Sequence, residues 1–97
     1  MYAVVLTYTA ALSEIDPHVP EHMEWIAEQY DAGRLLVSGR RQPRTGGVLL
    51  FAQMPRDELD AVLDADPFAR HGLADRQVVE FLATSTVDAL APWRDSA

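Results

Sequence analysis

The sequence contains no cysteine. Disulfide bonds, thiolate metal sites and a cysteine nucleophile are therefore excluded, and the core must be stabilised by packing. A chain without disulfides suits the reducing environment of the cytoplasm, and a cytoplasmic location is the expectation.

Basic residues are also scarce. The chain has eight Lys and Arg against fifteen Asp and Glu, which gives a formal net charge of -7. Proteins that bind nucleic acids neutralise phosphates with clustered basic side chains. The acidic balance therefore argues against DNA or RNA as a partner.

Long apolar runs are missing as well. The apolar start of the chain stops at Thr7 and has no basic flank, so it is too short for a signal-peptide core or a membrane span. The 97 residues are expected to form one small soluble domain over residues 1–85, followed by a tail over 86–97. Small domains bury a smaller share of their surface than large ones, so dimerisation would help this chain.

Hydrophobic periodicity predicts the element order strand, helix, strand, strand, helix, strand. The predicted strands cover residues 2–8, 35–39, 48–52 and 77–83. The first predicted helix begins at Asp16-Pro17 and ends at Tyr30, and the second begins at Pro55 and runs to the break at Asp66-Pro67. Residues 9–15 are predicted to be a connection, and Gly46-Gly47 a turn.

The first helix is predicted to be amphipathic. Asp16 is its expected N-cap and Gly33 its expected left-handed C-cap. Its core-facing stripe is predicted from apolar residues at spacings of three and four, with the acidic residues on the opposite side. The stripe residues are Val19, Met23, Ile26 and Tyr30.

This order predicts an α+β fold, a ferredoxin-like two-layer sandwich with both helices on one face of an antiparallel sheet. The predicted strands are apolar on both sides, and an uncovered face would be a large exposed hydrophobic patch. A homodimer built sheet to sheet is therefore expected. The tail is expected to pack on its own subunit or on the partner.

A possible catalytic pair comes from the segment around Asp66-Pro67. Pro67 lacks an amide hydrogen and forces Asp66 into extended backbone just past a helix end. His22 lies at the edge of the core-facing stripe of the first helix and is the natural partner of Asp66. Within hydrogen-bond reach, Asp66 would fix the tautomer of His22, and the pair would act as a general acid/base. The alternative is a satisfied core-edge histidine and an aspartate that only caps backbone amides.

Three further residues are candidates for substrate binding. Ser38 and Arg40 lie at the end of the second strand, where Arg40 could hold an anionic substrate or act as a solvated strand end. His71 follows Asp66 by five positions and could line the same cavity or lie on the surface. His18, His22 and His71 show no metal-ligand spacing, so no metal and no cofactor are expected.

Several segments of the chain resemble a known family. The segments are Pro20-Glu21-His22-Met23-Glu24-Trp25, residues 33–39, Gly46-Gly47 and Asp66-Pro67-Phe68. Together, in this order, they are similar to the YCII-related (YciI-like) proteins. The resemblance implies a ferredoxin-like dimeric α/β barrel, with His22 and Asp66 lining a pocket between helix and sheet.

Two positions depart from the family pattern. Family members often have proline after the Ser-Gly pair, where this chain has Arg40. Many also have arginine shortly before the helix histidine, where this chain has His18. Both departures bear on the identity of the substrate.

The resemblance implies a small cofactor-independent enzyme that uses the His22 and Asp66 pair on a small organic acid, aromatic acids included. Similar proteins act on chlorinated aromatics by loss of hydrogen chloride, which favours a lyase, isomerase or dehydrohalogenase reaction. The alternatives are a small-molecule-binding or regulatory dimer without turnover, and a purely structural subunit.

Overall fold

The computed structural model describes residues 1–96, within which four strands and four α-helices form. The strands are β1 (Tyr2–Tyr8), β2 (Leu35–Arg40), β3 (Gly46–Phe51) and β4 (Ala74–Glu80). The helices are α1 (Leu12–Ile15), α2 (Val19–Asp31), α3 (Arg56–Asp64) and α4 (Pro67–Arg70). Two 3-10 turns, Asp16–His18 and Asp88–Trp93, complete the elements.

The four strands form one antiparallel sheet in the order β2-β3-β1-β4. The apolar β1 occupies the centre, where Val4 pairs with Leu49 of β3 and with Val78 of β4. Central placement suits β1 because its β-branched and aromatic residues fit a buried pleated surface. The predicted ferredoxin-like α+β fold is confirmed.

The core lies between one face of the sheet and the two longer helices. Along β1, Tyr2, Val4 and Leu6 are buried while the residues between them are partly exposed, as a period of two requires. Trp25 of α2 packs in the same core and donates a hydrogen bond of 3.1 Å from its indole nitrogen to the carbonyl oxygen of Val62. The helices therefore cover only the inner face of the sheet.

The outer face of the sheet is apolar at its centre and uncovered in the single chain. The strand register brings Val5 opposite Val48 and Ala3 opposite both Leu50 and Val79. Val48 and Val79 are each 45% exposed. The expectation that these strands are apolar on both sides is correct for the residues on this face.

The start of α2 differs from the prediction. Asp16 and Pro17 form a 3-10 turn, and α2 begins three residues later with His18 at its N-cap position. A second proline, Pro20, also lacks an amide hydrogen and is accommodated in the first turn of α2. The predicted left-handed cap at Gly33 is confirmed by its φ of 72°.

The buried stripe of α2 also differs from the prediction. Met23 and Tyr30 are 54% and 42% exposed, whereas Trp25, Ile26 and Gln29 are buried. The stripe is rotated toward Trp25 because that large side chain buries the most apolar area against the sheet.

Residues 9–15 are not a plain connection, because they contain the short helix α1. The amide of Ile15 bonds to the carbonyl oxygen of Ala11, and the Ile15 side chain is fully buried. Burial of this one side chain fixes the turn against the core.

The predicted bounds of the fourth strand are wrong by three residues at each end. β4 begins at Ala74, which pairs with Tyr8, and ends at Glu80, which pairs with Tyr2. The full length of β1 therefore sets the bounds of β4, and its polar residues are tolerated because β4 is an edge strand.

Gly46-Gly47 is not the predicted turn but the beginning of β3. Gly46 has a φ of 154°, and a Cβ atom there would lie 1.8 Å from the carbonyl oxygen of Leu6. This close approach of two backbones requires glycine.

The tail lies against its own chain. The Asp95 carboxylate accepts hydrogen bonds from the backbone amide of Ala83, at 2.8 Å, and from the N-terminal ammonium of Met1, at 3.0 Å. These two donors, the Ala83 amide first, lower the pKa of Asp95. Residue 97 lies outside the described residues. In the described part of the chain, no helix has the length and apolar character needed to cross a bilayer.

Candidate functional site

The site begins at the break between α3 and α4. Asp66 has extended backbone, with φ -60° and ψ 129°, immediately before Pro67 opens α4. Its Oδ1 accepts a hydrogen bond of 3.1 Å from the backbone amide of Phe68. Asp66 is therefore the N-cap of α4, and its side chain direction is fixed by the cap. The helix α4 that follows is only four residues long.

The same carboxylate oxygen contacts His22. The distance from His22 Nδ1 to Asp66 Oδ1 is 2.7 Å, and the two side chains are only 13% and 4% exposed. A carboxylate only accepts hydrogen bonds, so Nδ1 carries a proton and donates it. In a neutral imidazole, Nε2 is then the unprotonated nitrogen that can accept a proton.

Two aromatic rings hold the His22 imidazole in place. The Phe68 ring stacks on it with centroids 4.1 Å apart and an angle of 11°, and the Trp25 ring lies 5.8 Å away. The edge of Phe68 in turn contacts Tyr8 in a T-shaped arrangement at 5.7 Å. The imidazole is fixed by packing as well as by Asp66.

His22 lines a cavity of about 340 Å³ between α2 and the sheet. Most of its wall is apolar, contributed by Leu6, Tyr8, Val19, Met23, Ile26, Leu49 and Phe68. The volume falls in the range typical of small-molecule sites.

Polar groups enter the cavity from the opposite wall. Ser38 and Arg40, predicted from the sequence, both line it, and so does Arg44. The Ser38 hydroxyl lies 2.6 Å from the hydroxyl of Tyr30. Arg44 forms an ion pair with Asp16, and that hydrogen bond raises the pKa of the Arg44 guanidinium.

Of the two positions that the sequence left open for His71, the structure shows the exposed one. Among the described residues, those that line the cavity do not include His71. Its ring packs instead against the ring of His18, with centroids 4.1 Å apart and an angle of 34° between the planes. The geometry gives no support to a substrate contact by His71 in this cavity.

Sequence reasoning did not single out Arg44. Its only sequence signal is its place in the connection between β2 and β3, a few residues after Arg40 and Arg41. Because the hairpin folds back toward the turn Asp16–His18, Arg44 reaches the cavity, and that approach is a tertiary feature. Tyr8 lines the cavity, whereas Trp25 is a core residue.

The chain was compared with protein-family profiles, with curated protein sequences and with solved structures. The YCII-related domain profile matches residues 1–82. A search of curated protein sequences gives no match.

A solved structure with a similar fold is the 5-chloro-2-hydroxyhydroquinone dehydrochlorinase TftG of Burkholderia phenoliruptrix in complex with 2,5-dihydroxybenzoquinone. The two chains superpose with a TM-score of 0.70 at 17% sequence identity, covering 84% of this chain and 93% of that chain. At this identity the likeness establishes the shared fold. The profile match over residues 1–82 establishes that the chain belongs to the YCII-related family.

Proposed function

We propose that the cavity is the active site of a small enzyme that needs no cofactor, in which His22 transfers a proton and Asp66 orients it. The observation that carries the proposal is the 2.7 Å contact between His22 Nδ1 and Asp66 Oδ1 in the wall of an apolar cavity. An oriented imidazole in the wall of a mostly apolar cavity is a usual arrangement for general acid/base catalysis.

The proposed chemistry is a proton transfer coupled to loss of a leaving group. Nε2 of His22 takes a proton from an acidic O–H or C–H bond of the substrate. The electron pair left behind forms a new double bond, and a halide departs with its own bonding pair. The buried Asp66 carboxylate stabilises the imidazolium that forms, which then releases its proton to solvent or product.

The lining indicates a small planar organic acid as substrate. The apolar wall fits a single ring, and the guanidinium groups of Arg40 and Arg44 suit a carboxylate or an ionised hydroxyl group. The name of TftG and its bound dihydroxybenzoquinone support this class, because an ionisable hydroxylated ring meets both requirements.

The test is a turnover assay on chlorinated hydroquinones and related small planar acids, with chloride release and product formation followed together. His22→Asn should lower kcat by about 10²–10⁴-fold with an unchanged circular dichroism spectrum. Glu28→Gln, an exposed change on the same helix, should leave kcat unchanged. Unchanged turnover in His22→Asn would rule out the acid/base role.

Substitution of the two arginines tests the substrate class. Arg40→Gln and Arg44→Gln should raise KM for anionic substrates with a smaller effect on kcat, because they remove binding present before the transition state. Saturable binding of these acids without turnover would instead identify a binding or regulatory module.

We also propose that the protein is a homodimer in which a second copy covers the outer face of the sheet. The uncovered centre of that face consists of apolar side chains from all four strands, namely Ala3, Val5, Val37, Val48, Leu50 and Val79. Burial of such a face stabilises association in proportion to the apolar area removed from water. The tail over residues 86–97 could then contact the partner as well as its own chain.

A further inference from the structure

A second group of ligating side chains lies outside the cavity. His18, Glu21 and His71 each offer one donor atom, and these three atoms lie within 4.8 Å of one another. His18 precedes α2, Glu21 lies in its first turn, and His71 follows α4. Residues separated by about fifty positions in the chain are thus brought together by the packing of α2 on α4.

One side chain of this group has an unsatisfied ring nitrogen. His18 Nδ1 is buried and has no hydrogen-bond partner within the described residues. A buried polar nitrogen without a partner has lost its hydration and gained no hydrogen bond in return, which destabilises the folded state. The ring of His71 is tilted by 34° against that of His18, with centroids 4.1 Å apart, and makes no hydrogen bond to this nitrogen. The His18 imidazole is therefore held in place by packing, while its Nδ1 atom makes no hydrogen bond.

We propose that His18, Glu21 and His71 form a binding site for one divalent cation of the borderline class, of which Zn²⁺ is the probe. Two imidazoles and one carboxylate are the donor set that Zn²⁺ accepts, and Mg²⁺ and Ca²⁺ prefer sites built from oxygen. Three protein donors leave a fourth position for water.

The distances suit this ion after a small adjustment. Bonds of about 2.0–2.1 Å in a tetrahedral site need donors about 3.3 Å apart. Glu21 and His71 are exposed, so both side chains can rotate to close the remaining distance. The partly buried His18 is the fixed point of the site.

The site has a consequence for the catalytic pair. His22 lies one helical turn after His18, and Asp66 caps the helix that His71 follows. A cation held by His18 and His71 would tie together the two elements that carry His22 and Asp66. It would stabilise the native state by mass action without ligating either catalytic residue.

The experiment is isothermal titration of the full chain without a polyhistidine tag, using ZnCl₂, with thermal unfolding measured in parallel. We expect one Zn²⁺ per chain and a higher Tm with Zn²⁺ than with the same concentration of MgCl₂. His18→Asn and His71→Asn should each weaken Zn²⁺ binding at least tenfold and abolish the shift in Tm.

Two matched controls separate this site from others. His22→Asn removes a neighbouring histidine outside the group and should retain full Zn²⁺ binding. Glu21→Gln should weaken binding, whereas Glu24→Gln, an exposed change on the same helix, should not. Binding that survives in His18→Asn and His71→Asn, binding that is lost in His22→Asn, or no binding at 100-fold excess of Zn²⁺ would overturn the proposal.

Discussion

The Nδ1 atom of His22 and the Oδ1 atom of Asp66 lie 2.7 Å apart although 44 positions separate them in the chain. The same Oδ1 atom also caps α4 through the amide of Phe68. One carboxylate oxygen therefore caps the helix α4 and also orients the imidazole of His22. These two roles can be separated by substitution.

Asp66→Asn and Asp66→Ala should differ in their free energy of unfolding but lower kcat to a similar extent. Asparagine keeps an oxygen for the Phe68 amide, so the cap survives, whereas alanine loses it and destabilises the fold by about 1 kcal/mol. Both remove the negative charge that stabilises the imidazolium, so kcat should fall by about 10²-fold or more in each. Urea unfolding and the turnover assay measure the two effects. Wild-type kcat in Asp66→Asn would contradict the orienting role.

Gly46→Ala should unfold or strongly destabilise the protein. The added Cβ would meet the Leu6 carbonyl oxygen at 1.8 Å, and backbone atoms in the sheet centre cannot move aside cheaply. We expect a loss of about 3 kcal/mol in urea unfolding. Gly39→Ala is the matched control, since its Cβ has nothing within 4 Å, and it should be close to neutral. Equal stability of the two variants would show that the backbone approach at Gly46 is not tight.

Val48→Glu should convert a dimer into a monomer. Val48 is 45% exposed on the outer face of the sheet, and a carboxylate there could not be buried against a second copy without a large desolvation penalty. Sedimentation at micromolar concentration should show a dimer for the wild type and a monomer for the variant. Ala27→Glu places the same charge on an exposed position of α2 and should remain dimeric. A monomeric wild type would remove the basis of the dimer proposal.

Asp95→Asn should lower stability in a way that depends on pH. The pKa of Asp95 is lowered in the folded state by the Ala83 amide and the N-terminal ammonium. The ionised carboxylate therefore contributes stability above its unfolded pKa of about 3.9, and this contribution is lost as the pH falls through the lower folded value. The urea midpoint of the variant should be below that of the wild type at pH 7, and the gap should narrow below about pH 4.

Asp88→Asn is the control for this measurement. The Asp88 side chain is fully exposed, and its carboxylate comes no closer than 4.0 Å to the Arg94 guanidinium, so this ion pair is weak. The variant should match the wild type across the whole pH range. A gap for Asp95→Asn that is the same at acid and neutral pH would assign its effect to packing and not to charge.

The sequence predicted most of the fold because local chemistry decided it. The bounds of β1 agree with the prediction, and the break at Asp66 follows from the geometry that Pro67 imposes. The left-handed end of α2 at Gly33 has the same local origin. Elements whose limits depend on their neighbours were predicted less well, as the three-residue shift of β4 shows.

The residues of the site also fall into those that local sequence identifies and those that only tertiary packing brings together. His22 and Asp66 were identifiable from their places at a stripe edge and a helix break. Arg44 and the contact between His18 and His71 were not, because each depends on how a loop or helix end approaches a distant element.

By itself, the sequence determined the order of the four strands and the two longer helices, the acidic net charge and the candidate pair His22 and Asp66, since these follow from backbone preferences and side-chain chemistry. Only the tertiary structure decided which side of α2 is buried, which residues line the cavity and which histidines meet. Those outcomes depend on packing between segments far apart in the chain, and no local pattern contains the distances between them.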